Sequence, residues 1–148
     1  MTNHKTTKVL TFGTFDRLHP GHIHYLKQAH KLADQLFTIV ALDTTVLKTK
    51  HKPAIFNQLQ RKQNLQNLKI PNHQILLGHP TNPYYFLNII QPDIIALGYD
   101  QTHFTEKLEN YLQKNKLINT RIIRLESHQE NFFKSSIISK FTTQNAYT

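Results

Sequence analysis

The stretch KVLTFGTFDRLHPGHIHYL, residues 8–26, decides how the rest of the chain is read. Its opening KVLTF is a short apolar run of the kind that forms a buried strand. Gly13-Thr14-Phe15-Asp16 ends that strand. Pro20 suits the first turn of a helix, because the N–H it lacks has no helical partner there. His19 then falls at or near the N-cap, and His22 lies one turn in. Side chains three apart are neighbours on a helix, and Cα–Cβ bonds tilt toward its N-terminus. Both imidazoles can therefore reach past the helix end. That end attracts anions through free N–H groups and the positive end of the dipole. Gly21 leaves the backbone open to close approach. The arrangement suits a phosphate. It does not suit zinc, because no third ligand stands nearby beyond Asp16 and cations are disfavoured at a helix N-terminus. His24 and His30 lie off the face of His22.

Apolar runs alternate with helical patterns along the remaining chain. Strands are expected at 8–12, 36–42, 73–78, 92–98 and 120–125. Helices are expected at 21–33, 57–68, 82–90, 104–115 and 135–145. His22, Leu26, Ala29 and Ala33 share one face of the first helix. Asn82-Pro83 is a cap and first turn, and Ser135 or Ser136 caps the last helix. The strands are continuous apolar runs rather than alternating ones, as expected when helices cover both faces of a parallel sheet. With right-handed crossovers this gives an open, doubly wound α/β fold on a five-stranded parallel sheet. Ligands in such folds bind beyond the carboxyl ends of the strands, where the strand order reverses. The segments 13–22, 98–101 and 134–136 can converge there.

Composition sets the outer bounds. The 148 residues suffice for one domain, 1–148, with a core over about 8–141. No stretch approaches a membrane span, and the first residues lack an export signal. There is no cysteine, which excludes disulfides and thiolate metal sites and fits a cytoplasmic location. The formal net charge is +9, with ten histidines in addition. Such a surface favours an anionic partner: nucleic acid, acidic lipid or a phosphorylated small molecule.

Gly13-Thr14-Phe15-Asp16 followed by His19-Pro20-Gly21-His22, between a strand and a helix, resembles the signature of the nucleotidyltransferase superfamily. That group includes glycerol-3-phosphate and choline-phosphate cytidylyltransferases, phosphopantetheine adenylyltransferase and archaeal-type FAD synthetases. The resemblance implies the Rossmann-like strand order 3-2-1-4-5 for the sheet. It also implies in-line attack of a substrate phosphate on the α-phosphorus of a nucleoside triphosphate, with pyrophosphate leaving. It assigns nucleotide binding to Phe12, Gly13, Thr14, Phe15, His19, Gly21, His22, Gly98, Asp100, Ser135 and Ser136. His19, His22, Thr14 and Lys50 become the catalytic candidates. Asp16 either orients the turn or helps hold Mg²⁺ or a similar divalent cation. Lys48, Lys50, Lys52 and Arg61 loosely match a basic segment that contacts phosphates of acceptor and nucleotide, in what reads as a mobile loop. Lys134 adds a cation beside the two serines, and either it or Arg124 stands in for an arginine that cytidylyltransferases carry near this point.

Gly98-Tyr99-Asp100-Gln101 resembles the archaeal-type FAD synthetases, where cytidylyltransferases tend to have Gly-Asp-Asp. This favours ATP and FMN as substrates, giving FAD and pyrophosphate. Tyr99 is the leading aromatic for the flavin; Phe104, Tyr84, Tyr85 and Phe86 stand behind it. The competing expectation is CTP with glycerol 3-phosphate or another phospho-alcohol. A basic nucleic-acid-binding module would also explain the charge, but the chain has neither a helix-turn-helix nor an aromatic RNA-binding signature. The resemblance further implies a homodimer with no membrane partner.

Overall fold

In the computed structural model, residues 5–99, 101 and 105–126 are described. Ten elements follow in the order β1 (Lys8–Gly13), α1 (Pro20–His30), β2 (Gln35–Val40), α2 (Asp43–Lys50), α3 (Gln58–Gln66), β3 (His73–Leu77), α4 (Tyr85–Ile90), β4 (Ile94–Leu97), α5 (Thr105–Lys114) and β5 (Arg121–Arg124). The expected helix over 135–145 lies outside the described residues.

The five strands form one sheet in the order β3-β2-β1-β4-β5. Every pairing is parallel: β1 runs beside β2 from Lys8↔Gln35 to Gly13↔Val40, and beside β4 through Val9↔Ile94 and Leu10↔Ile95. The order reverses between β1 and β4, so their carboxyl ends flank the crevice in which such sheets bind ligands.

Side chains alternate between the two faces. Leu10, Ile39, Ile95 and Leu97 pack under Leu87 and Ile90 of α4 and Leu108 and Leu112 of α5. On the opposite face Val9, Leu36, Ile94 and Ala96 pack against Ala29 of α1. Val40 and Ile75 meet Leu26 of α1 and Leu65 of α3. Both faces are thus covered by helices, which is why the strands read as unbroken apolar runs.

Two threonines are buried inside this sheet, Thr11 and Thr38. Thr11 donates to the Phe37 carbonyl at 3.1 Å, and its oxygen lies 2.8 Å from that of Thr38. Thr38 also meets His73 Nε2 at 2.7 Å. With the Thr11 proton spent on Phe37, Thr38 donates to Thr11, and the His73 proton is assigned to Nε2. Burial, reinforced by His30, pushes the His73 pKa down to about 4.

One helix departs from expectation. The segment read as a basic loop begins as the last turn of α2, which carries Lys48 and Lys50. His51 ends the helix in the left-handed conformation, at φ 61°, and Lys52 follows in the connection to α3. The capping of α3 matches its sequence: the Asn57 side chain accepts from Gln60 N–H at 2.9 Å.

Candidate active site

The turn leaving β1 is tightly determined. Phe15 and Arg17 both take positive φ, 55° and 53°, a conformation that costs a non-glycine residue about 1–3 kcal/mol. The return is burial of the Phe15 ring, 2% exposed, among Leu26, Val40, Leu65 and Ile75. That ring explains Gly13: a Cβ built there would lie 2.6 Å from the ring. Phe15 also meets His22 edge-on, with centroids 5.4 Å apart. The phenyl ring therefore does not face a nucleotide, contrary to the sequence expectation; it is a wedge that sets the turn and backs an imidazole.

His19 is the N-cap of α1 and Pro20 follows it directly. Its Nδ1 accepts the Gly21 N–H at 3.1 Å. The Gly21 N–H is therefore spent on the cap rather than offered to a ligand. An accepting Nδ1 carries no proton, so neutral His19 holds its proton on Nε2 and is a donor there. The His19 and His22 rings stack at 3.8 Å between centroids, inclined by 20°. Burial lowers the His19 pKa. His22 is pushed down to about 4, first by burial, then by His19 and the Lys50 ammonium, with Asp16 opposing. Two protonated rings at this spacing would repel, and both are neutral near pH 7. His22 Nδ1 is buried with no hydrogen-bond partner among the described residues. An unpaired acceptor costs less here than an unpaired N–H, so the proton is assigned to Nε2.

Asp16 and Arg61 both differ from expectation. Each Asp16 carboxylate oxygen accepts a backbone N–H, from Ile55 at 2.7 Å and Phe56 at 3.0 Å. Among the described residues no group of three histidines or carboxylates could hold a metal ion. The described residues thus build no cation cage, and Asp16 orients a loop. Arg61 was expected at a phosphate, but its side chain is wholly buried. It donates to the carbonyls of Phe56 (2.9 Å), Thr14 (3.0 Å) and Ala41 (2.7 Å) and pairs with Asp43 at 2.7 Å. Four of its five N–H groups are spent on protein, so it is a strut joining the ends of β1 and β2 to α2 and α3.

Lys48, Lys50 and Lys52 are exposed, and Lys50 is near enough for its charge to act on His22. Thr14 stands at the turn, half-buried.

The β4 side is built from Gly98, Gln101 and Arg124, which the sequence placed near the site without their contacts, and from Tyr25, which it did not. Gln101 Oε1 accepts Gly98 N–H at 2.7 Å, and its Nε2 donates to the Phe12 carbonyl at 3.0 Å. This bridges the two strands at the switch point. Tyr25 of α1 donates to the Ala96 carbonyl at 2.7 Å and touches Gln101. Arg124 donates to the carbonyls of Gly98 (2.9 Å) and Gln101 (2.8 Å). Phe12 packs its ring on the α4–α5 side, so its part in the site is its carbonyl. Tyr99 is 41% exposed, beside this clamp. Asp100, Phe104, Lys134, Ser135 and Ser136 lie outside the described residues. Tyr25 and Asp43 left no sequence signal, and the bridge from Gln101 to Phe12 left none either, because their partners are distant in the chain and are known only once the strand order is.

Two neutral, stacked imidazoles at a helix mouth, beside the switch point of a parallel sheet, define an α/β enzyme of the nucleotidyltransferase class. The chain belongs to the cytidylyltransferase-like family, whose model matches residues 10–141. It is 41% identical over 136 residues to a FAD synthase of Methanohalophilus mahii, covering 90% of this chain and 92% of that one. It is 44% identical over 131 residues to a FAD synthase of Archaeoglobus profundus, covering 87% and 81%. Among solved structures, a protein described as a lipopolysaccharide core biosynthesis protein from Thermoplasma volcanium superposes with a TM-score of 0.75. It is 36% identical, over 84% of this chain and 99% of that chain.

Proposed function

We propose that this chain is an FMN adenylyltransferase, converting ATP and FMN to FAD and pyrophosphate. The observation that carries this reading is its similarity, at about 40% identity over nearly the whole of both chains, to proteins named FAD synthase. The Gly98-Tyr99 end of β4, bridged to β1 by Gln101, supports it.

An oxygen of the FMN phosphate forms a bond to the α-phosphorus of ATP. The bond from that phosphorus to the bridging oxygen breaks, and its electron pair leaves with pyrophosphate. The chain contributes position and charge stabilisation. His19 Nε2–H and His22 Nε2–H are the donors to the triphosphate, and Thr14 contributes its hydroxyl at the α-phosphate. Lys50, with Lys48 and Lys52, receives the acceptor phosphate. Tyr99 and Gly98 border the crevice at β4. We assign Asp100, Ser135 and Ser136 to nucleotide binding on the strength of the sequence motif. A divalent cation such as Mg²⁺, carried by the triphosphate, would neutralise part of its charge; among the described residues no group of three histidines or carboxylates is placed to hold it. Among the described residues no helix is long and apolar enough to cross a membrane. We place the enzyme in the cytoplasm, as a homodimer of single-domain subunits.

The test is a pyrophosphate-release panel, ATP or CTP against FMN, glycerol 3-phosphate, phosphocholine and phosphopantetheine. ATP with FMN is expected to give the signal, with FAD formed in equal amount. His19→Ala and His22→Ala should each lower its kcat by about 10²–10³. Release from CTP with glycerol 3-phosphate, and none from ATP with FMN, would replace this reading with a cytidylyltransferase.

A further inference from the structure

Ile55 and Phe56 stand in the connection between α2 and α3, 62% and 36% exposed. A single exposed apolar side chain is ordinary. Two in succession, on backbone fixed to a catalytic turn, are not. Asp16 accepts both of their N–H groups. Arg61, which is wholly buried, donates to the Phe56 carbonyl and to the Thr14 carbonyl alike. The dipeptide is therefore clamped to the Thr14–Asp16 turn that runs into His19. Asp16 in turn lies close enough to His22 for its charge to act there.

We infer that Ile55 and Phe56 are the platform for the flat ring of the acceptor, and that Asp16 positions them. The inference rests on the FMN reading above. The acceptor has a phosphate at one end and a wide, mostly apolar ring system at the other. The segment from Lys48 to Phe56 offers matching halves in sequence: cations first, then apolar surface. A pocket for such a ring needs aliphatic or aromatic walls. A platform fixed before the ligand arrives loses little freedom when it binds, which favours affinity.

The experiment is steady-state kinetics of FAD formation by the wild type, Phe56→Ala, Ile55→Ser and Asp16→Asn. Ribitol 5-phosphate serves as an inhibitor that carries the phosphate and the chain but no ring. Phe56→Ala should raise the KM for FMN about tenfold and Ile55→Ser several-fold. The KM for ATP and the inhibition constant of ribitol 5-phosphate should stay within about twofold. Asp16→Asn should raise the KM for FMN more than it lowers kcat, a split that a general loss of structure would not give. Ile55 is exposed enough that its substitution leaves folding intact. An unchanged KM for FMN in both Phe56→Ala and Ile55→Ser overturns the platform while leaving the proposed function standing. So does a change in sedimentation from dimer to monomer in those variants with KM for FMN unaltered, which would make the surface a contact between two copies. Absence of FAD from the wild type overturns the proposed function, and the platform with it.

Discussion

Two arginines brace the turns at the carboxyl end of the sheet under opposite conditions. Arg61 is sealed: it is wholly buried and ties Thr14, Ala41, Phe56 and Asp43 together. Arg124 lies exposed at the end of β5 and holds the Gly98 and Gln101 carbonyls. A buried guanidinium is tolerated only with its N–H groups satisfied, and satisfying them removes it from the ligand's reach. The β1–β2 side of the crevice is therefore rigid before any ligand arrives. On the β4 side the bonds of Arg124 are exposed and compete with water, while those of Gln101 and Tyr25 are part-buried.

This contrast predicts unequal costs. Arg61→Met leaves three carbonyls and a half-exposed carboxylate without their donor. We expect a loss of about 3 kcal/mol, the lower end for breaking a buried pair because Asp43 is half exposed, or roughly 10 °C in melting temperature. Calorimetry would show it, and a loss below about 1 kcal/mol would break the contrast. Arg124→Ala should leave the melting temperature within about 2 °C, since exposed polar groups contribute little. Its effect should fall on substrate, with the KM for ATP rising several-fold and the KM for FMN holding. Equal melting temperatures for the two variants would mean that both arginines brace their turns in the same way.

Sealing also sets the pH response. His22 and His73 each carry a pKa of about 4 in the folded chain, against 6.5 ordinarily. Between those values the unfolded chain binds more protons than the folded one, so stability is complete above about pH 6.5 and falls as pH drops toward 4. Thermal melts at pH 7.5, 6 and 5 should show a progressive fall, and His73→Gln should make it shallower. A melting temperature level over this range would show that the two imidazoles are solvated.

The parallel, doubly wound sheet was legible because each strand is a continuous apolar run and the connections are helical; its order 3-2-1-4-5 came from the resemblance of the first turn to a family. The mouth of α1 was legible because its signals are local: Pro20 after the cap and His19 and His22 three apart. Helix α2 was not. Its sequence DTTVLKTK mixes β-branched and cationic residues, and Val46 is the residue it buries, so it carries almost no amphipathic stripe. Arg61 read as a phosphate ligand because its charge is visible in sequence and its burial is not; the burial is created by carbonyls from residues 14, 41 and 56. Gln101 was quoted as part of a motif, yet its bridging role requires β1 and β4 to be neighbours. Phe15 was grouped with its motif, and the positive φ that turns it into the core is not a property of its residue type.

The central claim is that two neutral, stacked imidazoles at the mouth of α1 receive the triphosphate. Histidine-ring ¹H–¹⁵N NMR over a pH titration, with and without a non-hydrolysable ATP analogue, tests it most directly. In the free protein, the account predicts that His22 titrates near 4 and His19 below its ordinary value. Both should shift upward when the analogue binds, because phosphate charge favours the protonated ring. Titration of both rings near 6.5, unmoved by saturating analogue, would contradict it.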